Sequence, residues 1–366
     1  MTIDAAGGRD DETRGAGVMR AFYHPDQALH DPQQYMRFGR VVPPKDLPAR
    51  TERLVAALRG RGIEPSVPAA CGLDPVHAVH APHYVEFLQT AWDNWQTLPA
   101  ERGPEAWPST FPYWSGRPDQ DVRPPCPATG FLGQLGWYLG DLSVPVGPNC
   151  WISTLRSAET AVAGASAVAD GARLAYALCR PSGHHARADR ASGFCYLNNT
   201  AIAAQHLADR GARVAILDVD AHHGDGTQQI FYRRSDVLTV SIHADPDRYY
   251  PFYTGYTAET GDGPGQGANL NLPLPHGSGI GAMEQALSTA AARIRDFGAD
   301  TLVVALGFDA HRDDPIGVLD LTSRDFARVG TAIAALALPT LVVQEGGYAI
   351  DAIGDSLGAF LDGISR

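Results

Sequence analysis

Two carboxylates and an imidazole stand at alternate positions where an apolar, β-branched run of the sequence ends. The run V-A-I-L-D-V-D-A-H begins at Val214 and predicts a buried strand, whose alternation would place Asp218, Asp220 and His222 on one face at its tip. Such groups are costly to bury unless something compensates them, and a divalent cation would do so. We therefore predict that Asp220 and His222 bind a metal ion, with Asp218 directly behind them.

Four other predicted strands also end in side chains that can do chemistry. Ligands of open α/β sheets bind outside the carboxyl ends of the strands, so we expect these side chains to meet in one site. They are His184 and His185 in R-P-S-G-H-H-A, Ser241 and His243, Asp309 in G-F-D-A-H-R-D-D-P, and Glu345 and Tyr348 in Q-E-G-G-Y. Five strand ends of this kind in succession are hard to attribute to chance, and they predict an active site.

The set supplies what metal-assisted hydrolysis of an amide requires. Asp220, His222 and Asp309 would give three ligands and leave one position for water, as catalytic zinc sites do. The metal would activate that water and polarise the carbonyl, while the histidine pair offers a general base and a general acid. Two carboxylates can orient the imidazoles, and the tyrosine can donate to the developing oxyanion. The predicted catalytic residues are His184, His185, Tyr348, Asp218 and Asp225.

Alternating elements predict how these residues are positioned. Strands are predicted at 19–23, 172–178, 212–219, 237–242, 301–306 and 340–343, and helices at 49–61, 74–92, 153–170, 198–210, 226–233, 282–297 and 323–336. This order predicts an α/β protein with a parallel sheet and helices on both faces. Residues 18–366 form one predicted domain, because the site needs strands from residue 172 to 348. Residues 1–17 are predicted to be a disordered tail.

Less regular stretches lie between these elements. Residues 24–48 are predicted to be a long loop, and 99–151, rich in proline and tryptophan, to be irregular. Three histidines, His77, His80 and His83, are predicted to be residues of a helix face rather than metal ligands, because Pro82 interrupts their spacing.

Composition narrows the class of protein. The 366 residues carry 41 acids and 29 bases, a net charge of −12, which argues against binding to nucleic acid phosphates. No apolar run is long enough for a membrane span, and no signal peptide is recognisable. Five scattered cysteines without C-x-x-C predict neither disulfides nor a zinc finger, so the expected compartment is the cytoplasm.

Long motifs resemble those of the zinc-dependent histone deacetylase family, in the arginase and deacetylase superfamily. They are R-P-S-G-H-H-A…S-G-F-C-Y-L-N-N, L-D-V-D-A-H-H-G-D-G-T, G-F-D-A-H-R-D-D-P and Q-E-G-G-Y, and the resemblance spans residues 19–362. Within the family, G-Q-L-G-W-Y at 133–138, H-A-D-P at 243–246 and G-Y-T-A-E-T-G at 255–261 resemble the bacterial acetylpolyamine amidohydrolases. The implied fold is the arginase–deacetylase fold, a single domain with about eight mainly parallel strands.

The resemblance also implies roles for individual residues. Zinc, or iron(II) in the cell, is expected on Asp220, His222 and Asp309. His185, backed by Asp225, would transfer protons. His184, backed by Asp218, would act electrostatically, and Tyr348 would polarise the carbonyl. A structural potassium ion is expected at Asp218, Asp220, His222, Ser241 and Ile242, with a second monovalent site near Phe231.

The sequence departs from the pattern of the acetylpolyamine amidohydrolases at positions that are expected to lie near the substrate. Phe194 and Tyr250 are expected to form the walls of the substrate tunnel, and Ile316 is also expected to contact the substrate. Tyr35, Leu132 and Ser143 stand where those enzymes are expected to carry acidic residues. The loop 24–48 is expected at a homodimer interface that narrows the entrance. The substrate would then be a slim N-acyl amine, such as an acetylpolyamine or a related, uncharged or aromatic amine, bound without nucleic acid or membrane.

Three other functions are considered. A deacetylase of protein lysines would need a wider entrance. An arginase- or agmatinase-like ureohydrolase would need a second acid in D-A-H-x-D, where this sequence has Gly224. A binding protein on an inactive scaffold would have lost a ligand or a proton-transfer residue, whereas all are present here.

Overall fold

The chain is described here by a computed structural model that covers residues 19–113 and 122–366. The tail predicted at 1–17 lies outside the described residues.

A parallel sheet of seven strands forms the centre of the described chain, and two further short strands form a separate hairpin. The strands are β1 Arg20–Phe22, β2 Tyr35–Arg37, β3 Arg40–Val42, β4 Leu174–Ala177, β5 Val214–Asp218, β6 Val237–Ala244, β7 Asn269–Leu274, β8 Thr301–Leu306 and β9 Thr340–Gln344. The order in the sheet is β1-β4-β9-β8-β5-β6-β7, and β2 and β3 form the hairpin. The six strands predicted from the sequence are all present, and the parallel α/β fold is confirmed.

The described sheet has seven strands, whereas about eight were expected. Its last strand, β7, was not predicted, since N-L-N-L-P-L contains asparagines and a proline. Pro273 is tolerated because β7 pairs only with β6 and forms an edge of the sheet.

Helices cover both faces of the sheet. They are α1 Ala49–Arg59, α2 Asp74–His77, α3 Pro82–Gln96, α4 Phe131–Tyr138, α5 Cys150–Ala169, α6 Asn199–Ala208, α7 Asp225–Phe231, α8 Ile280–Phe297, α9 Asp325–Ala334 and α10 Ile350–Ile364. One hydrophobic core lies between the sheet and helices α3 to α6. A second lies between the opposite face of the sheet and helices α1, α8, α9 and α10. Alternate residues of each strand enter the two cores. Val214 and Ile216 of β5 enter the first, while Ala215 and Leu217 enter the second.

Two predicted stretches need correction. The helix predicted at 74–92 is interrupted, because Pro82 occupies the first turn of α3, where its missing N–H costs nothing. The stretch predicted as irregular at 99–151 contains α4 and the start of α5, whose apolar faces pack into the first core.

The early loop is also more ordered than predicted. Between residues 24 and 48 it forms a 3-10 turn at Pro25–Leu29 and the hairpin β2–β3, whose register pairs Tyr35 with Val42. Phe38 at the tip of the hairpin is 91% exposed.

The centre of the sheet determines where the functional side chains meet. Strands β4, β9, β8 and β5 are consecutive neighbours and parallel, so their carboxyl ends lie side by side. These four strands lead into the histidine pair, Tyr348, Asp309 and Asp220. Among the described residues, no helix is both long and apolar enough to cross a bilayer.

Candidate active site

The acidic stretch after β5 is a turn rather than the continued strand predicted from the sequence. The strand ends at Asp218, and its carboxylate accepts a hydrogen bond from the Asp220 N–H at 3.0 Å. The Asp220 carboxylate in turn accepts from the His222 N–H at 2.9 Å. Aspartate side chains that bond the backbone two residues on mimic a turn, so the chain bends here instead of extending. Asp220 and His222 nevertheless point into the same buried cluster.

This metal-ligand cluster consists of Asp220, His222 and Asp309, whose ligand atoms all lie within 4.8 Å of one another. The His222 Nδ1 atom is 2.8 Å from Asp309 Oδ2 and 3.2 Å from Asp220 Oδ1. Backbone N–H groups of Gly346 and Ala221 fix the other oxygens of the two carboxylates, at 2.8 and 2.7 Å. Each carboxylate is thus oriented by the backbone and presents one oxygen to the cluster.

The electrostatics of the cluster fit a cation. Burial, and then the Asp220 carboxylate, raise the pKa of Asp309 above its ordinary value. Burial alone would lower the pKa of His222, but the Asp309 and Asp220 carboxylates outweigh it and raise that pKa to about 9. The metal-free cluster therefore draws protons into the position that a divalent cation would take. Two carboxylates and one imidazole suit zinc and iron(II) alike.

The two histidines after β4 have different environments. Burial would lower the pKa of His184, but the carboxylates of Asp218 and Asp220 raise it well above the ordinary value. Its Nδ1 atom donates to Asp218 Oδ2 at 2.9 Å. His185 bonds Asp225 Oδ1 at 2.8 Å, and burial together with the charge of His184 lowers its pKa to about 4. At neutral pH the pair thus holds one cationic and one neutral imidazole.

Arg187, which the sequence did not suggest, extends this arrangement. Its Nε and Nη2 atoms donate to Asp225 Oδ2 at 3.0 and 2.8 Å. Burial would raise the pKa of Asp225, but Arg187 and His185 lower it. The carboxylate therefore stays charged against the His185 ring.

A cavity of about 380 Å³ opens above the cluster. His185, His222 and Tyr348 reach it from the catalytic set, and Tyr35, Ser143, Phe194, Tyr250 and Ile316 line it from the predicted substrate-binding set. Leu132 is on the surface of α4, 55% exposed, and is not among the described residues that line the cavity. Its role at the entrance stays a prediction.

The walls of the cavity are held by Asp141, another residue that the sequence analysis missed. Its carboxylate accepts from the Tyr250 hydroxyl at 2.7 Å and from the Gly193 N–H at 3.1 Å. Gly193 has φ +55°, and a Cβ there would lie 2.4 Å from the His185 ring. Only glycine fits against the His185 ring, and the next residue, Phe194, lines the same cavity as the histidine.

Tyr348 is fixed by contacts from distant parts of the chain. Its N–H donates to Asp314 Oδ2 at 2.6 Å, and its ring makes an edge contact with Phe194. Arg50 of α1 is 1% exposed, and its guanidinium lies 4.8 Å from the centre of the Tyr348 ring. Arg50 also donates to the carbonyls of Gly347 and Glu345 at 2.6 and 2.7 Å. Burial raises the pKa of the Tyr348 phenol well above its ordinary value, so it keeps its proton.

We expect Arg50→Met to lower the free energy of unfolding by about 3 kcal/mol, because the buried carbonyls of residues 345 and 347 lose a charged donor. Denaturant titration would measure this. Arg59→Met is the matched control, since Arg59 on the same helix pairs with Glu64 at an exposed position and its loss should leave the midpoint unchanged. Equal midpoints for Arg50→Met and the unmodified chain would refute the structural role.

Gly224 is relevant to the number of metal ions that the site can bind. A Cβ at this position would lie 2.3 Å from Asp218 Oδ2. The described structure therefore has no room for a carboxylate where a ureohydrolase would carry its second acid.

Two further histidines have structural partners. His80 donates to the Arg187 carbonyl at 3.0 Å and accepts from the Asn198 N–H at 2.9 Å, so its ring is buried and bonded. It lies between α2 and α3, so the predicted helix face is wrong for this residue. His243 contacts the Ser241 hydroxyl at 2.8 Å and the Gly255 carbonyl at 2.9 Å. Neither lines the cavity within the described chain.

Comparisons with known proteins agree with this geometry. A family model described as the histone deacetylase domain matches residues 45–364. An acetylpolyamine amidohydrolase of Burkholderia pseudomallei (strain 1710b) is 47% identical over 346 residues, which cover 94% of this chain and 98% of that protein. Acetylpolyamine amidohydrolase 1 of Pseudomonas aeruginosa is 43% identical over 338 residues, or 92% and 96% of the two chains. The crystal structure of acetylpolyamine aminohydrolase from Burkholderia pseudomallei matches with a TM-score of 0.90, covering 95% of this chain and 98% of that one.

Proposed function

Because this chain belongs to the histone deacetylase family, we propose that it hydrolyses the amide bond of small N-acylated amines, such as an acetylpolyamine or a related acetylated amine. One observation carries the proposal. The cavity that reaches the cluster of Asp220, His222 and Asp309 is also lined by His185 and Tyr348, so ligands, base and oxyanion donor face one space. The names of the relatives support a small acetylated amine as substrate.

The residues of this chain would divide the reaction among them. Zinc or iron(II) bound by the cluster would polarise the amide carbonyl and lower the pKa of a water molecule. Neutral His185 would accept a proton from that water and return it to the leaving amine. Cationic His184 would stabilise the negative charge that develops nearby. The Tyr348 hydroxyl would donate to the carbonyl oxygen as it becomes an oxyanion. Asp314 fixes the backbone of Tyr348, and Arg50 lies against its ring.

The walls of the cavity support a small substrate rather than a protein. Tyr35, Phe194 and Tyr250 line the cavity with aromatic rings, and Tyr35 lies edge-on to Phe194 at 5.4 Å between ring centres. We expect the zinc-loaded chain to release acetate from free Nε-acetyl-lysine at a kcat/KM about tenfold or more above that for the same residue inside a peptide. A faster reaction with the peptide would favour the protein deacetylase instead.

Asp225→Asn should change the pH dependence of the reaction. The Asp225 carboxylate raises the pKa of His185 against the larger opposing effects of burial and His184. An amide would not, so the pKa of His185 falls further, and the acidic limb of kcat/KM against pH should move to lower pH. We also expect kcat to fall about 10- to 100-fold, because the ring loses its orienting acceptor. Asp209→Asn, at an exposed position beside Gln205, is the control. An unmoved limb would show that Asp225 does not tune His185.

We propose a potassium site beside the cluster, at Asp218, Asp220, His222, Ser241 and Ile242. Asp218 and Ser241 face each other in the register of β5 and β6, which places side-chain and carbonyl oxygens close together. Replacing potassium by a bulky organic cation should lower the thermal midpoint, and an unchanged midpoint would count against the site. The second monovalent site near Phe231 stays a prediction.

We also propose that the chain forms a homodimer through the hairpin β2–β3. Its exposed Phe38 and Val41 would be covered by a second copy. Light scattering should give twice the mass of one chain, and Phe38→Asp should shift it towards the monomer. A monomeric unmodified chain would exclude the dimer.

A further inference from the structure

Two cationic side chains line the mouth of the cavity. Among the described residues that line the cavity, Arg37 and Arg248 carry guanidinium groups, and none is an aspartate or a glutamate. The positions where the sequence resembles acidic entrances hold uncharged residues, and two of them, Tyr35 and Ser143, line this cavity. A ligand that enters the cavity therefore meets cationic side chains that are separate from the catalytic residues.

Arg37 is held at the mouth. It ends β2, is half-buried, and its Nη1 atom donates to the Pro315 carbonyl at 3.2 Å. Its guanidinium also lies 4.9 Å from the centre of the Phe38 ring. The carbonyl uses one of the five N–H donors of the guanidinium, so a planar donor edge is left for a ligand.

Arg248 also lines the cavity and is less constrained than Arg37. It closes the short turn Pro246–Arg248, and its side chain is 85% exposed. The Asp247 Oδ2 atom lies 3.6 Å from its Nε atom, and that pair is exposed as well. Exposed pairs of this kind hold their partners weakly, so Arg248 can turn towards an anion at the mouth.

Two guanidinium groups at one mouth discriminate by charge. They repel the distal ammonium of an acylated polyamine, and they match the planar, bidentate geometry of a carboxylate. A cavity of about 380 Å³ with aromatic walls admits a slim, linear chain between the amide and this end.

We propose that the substrate is an N-acylated amine whose free end carries a carboxylate, that is, a linear N-acylamino carboxylate, and that Arg37 and Arg248 bind this end. The assignment rests on the proposed amide hydrolysis and narrows its substrate class, since it places the acetylpolyamines among the poorest of the acylated amines. Arg37 is the fixed contact and Arg248 the mobile one.

The test compares three acetamides of equal chain length with the zinc-loaded full chain. They are N-acetyl-5-aminopentanoate, N-pentylacetamide and N-acetylcadaverine, which end in an anion, a methyl group and a cation. We expect kcat/KM to be highest for the anion and lowest for the cation, with about a tenfold step for each change, the size of a hydrogen bond to a charged group. The difference should lie mainly in KM, and added salt should reduce it.

Variants assign the effect to the two arginines. Arg37→Gln should reduce the ratio of kcat/KM for the anionic over the neutral acetamide about tenfold, and the double variant with Arg248→Gln should bring it close to one. Arg210→Gln is the matched control. It removes the same charge from a surface pair with Asp170. Both residues precede the amino ends of strands, whereas the site lies at the carboxyl ends, so the variant should keep the ratio of the unmodified chain.

The outcomes separate this inference from the proposed function. Hydrolysis of N-pentylacetamide with N-acetylcadaverine as the fastest substrate overturns the inference and leaves amide hydrolysis standing. A preference for the anionic acetamide that persists in the double variant also overturns the inference and leaves amide hydrolysis standing. If the zinc-loaded chain hydrolyses none of the three, both fail.

Discussion

Asp309→Asn is expected to remove the bound metal and to lower kcat/KM by about three orders of magnitude, since a metal contributes several kcal/mol to the transition state. Asp309 Oδ2 lies 2.8 Å from His222 Nδ1 inside the cluster, and an amide oxygen is a much poorer ligand. Steady-state kinetics and elemental analysis of the purified variant would measure both effects.

The fold should survive this change, which separates loss of metal from unfolding. Burial and Asp220 raise the pKa of Asp309 to about 7, so in the metal-free chain this carboxyl destabilises the fold increasingly as the pH rises above its ordinary pKa, and fully once the pH exceeds the raised pKa. Neutral asparagine avoids that cost. At pH 8 the metal-free variant should therefore unfold at a denaturant concentration no lower than the metal-free parent. A variant that keeps both its metal and its activity would contradict the ligand assignment.

Tyr348→Phe is expected to lower kcat by about 100- to 1000-fold while KM changes little, because the lost hydrogen bond is made in the transition state. The ring would stay in place, since Arg50, Asp314 and Phe194 hold it through contacts that phenylalanine keeps. Only the donor would be lost. Initial rates over a range of substrate concentrations would separate the two constants.

Tyr84→Phe provides the control for this variant. Tyr84 is a buried tyrosine of α3 whose hydroxyl donates to the Tyr196 carbonyl, away from the cavity. Its loss should reduce stability slightly and leave kcat unchanged. If Tyr348→Phe retained the parental kcat, the donor to the oxyanion would have to be another group.

The sequence predicted the residues that stand at strand ends, because a parallel sheet brings those ends together. Asp220, His222 and Asp309 were identified in this way although 87 residues separate the last two. The sequence did not predict the turn that orients them. A strand with alternating side chains and a series of aspartate turns both place these residues on one side, so the residue pattern does not distinguish the two conformations. The structure shows that hydrogen bonds to the backbone, rather than strand geometry, aim these side chains.

The residues that hold the site were harder to predict. Arg50 contacts Gly347 across 297 positions of sequence, and only the completed fold creates that contact. One signal was available, because Arg50 shares a helical stripe with Leu54 and Leu58, all of them buried. An arginine at such a position indicates a buried ion pair. Asp141 gave no comparable signal within its proline-rich stretch.

Helix α10 was missed for a different reason. Its three glycines, Gly354, Gly358 and Gly363, lower the helix propensity of the segment. Packing overrides that propensity. A Cβ at Gly363 would lie 2.0 Å from the Ala327 carbonyl oxygen of α9, so the small residue permits the close contact between the two helices.

The central claim is that the cluster of Asp220, His222 and Asp309 holds a metal on which amide hydrolysis depends. The most direct measurement strips the full chain with a strong chelator, verifies the loss of metal by elemental analysis, and follows acetate release from N-pentylacetamide before and after zinc is returned. We predict that the stripped chain is inactive and that a single equivalent of zinc per chain restores the rate. Full activity in a chain free of metal would contradict the account.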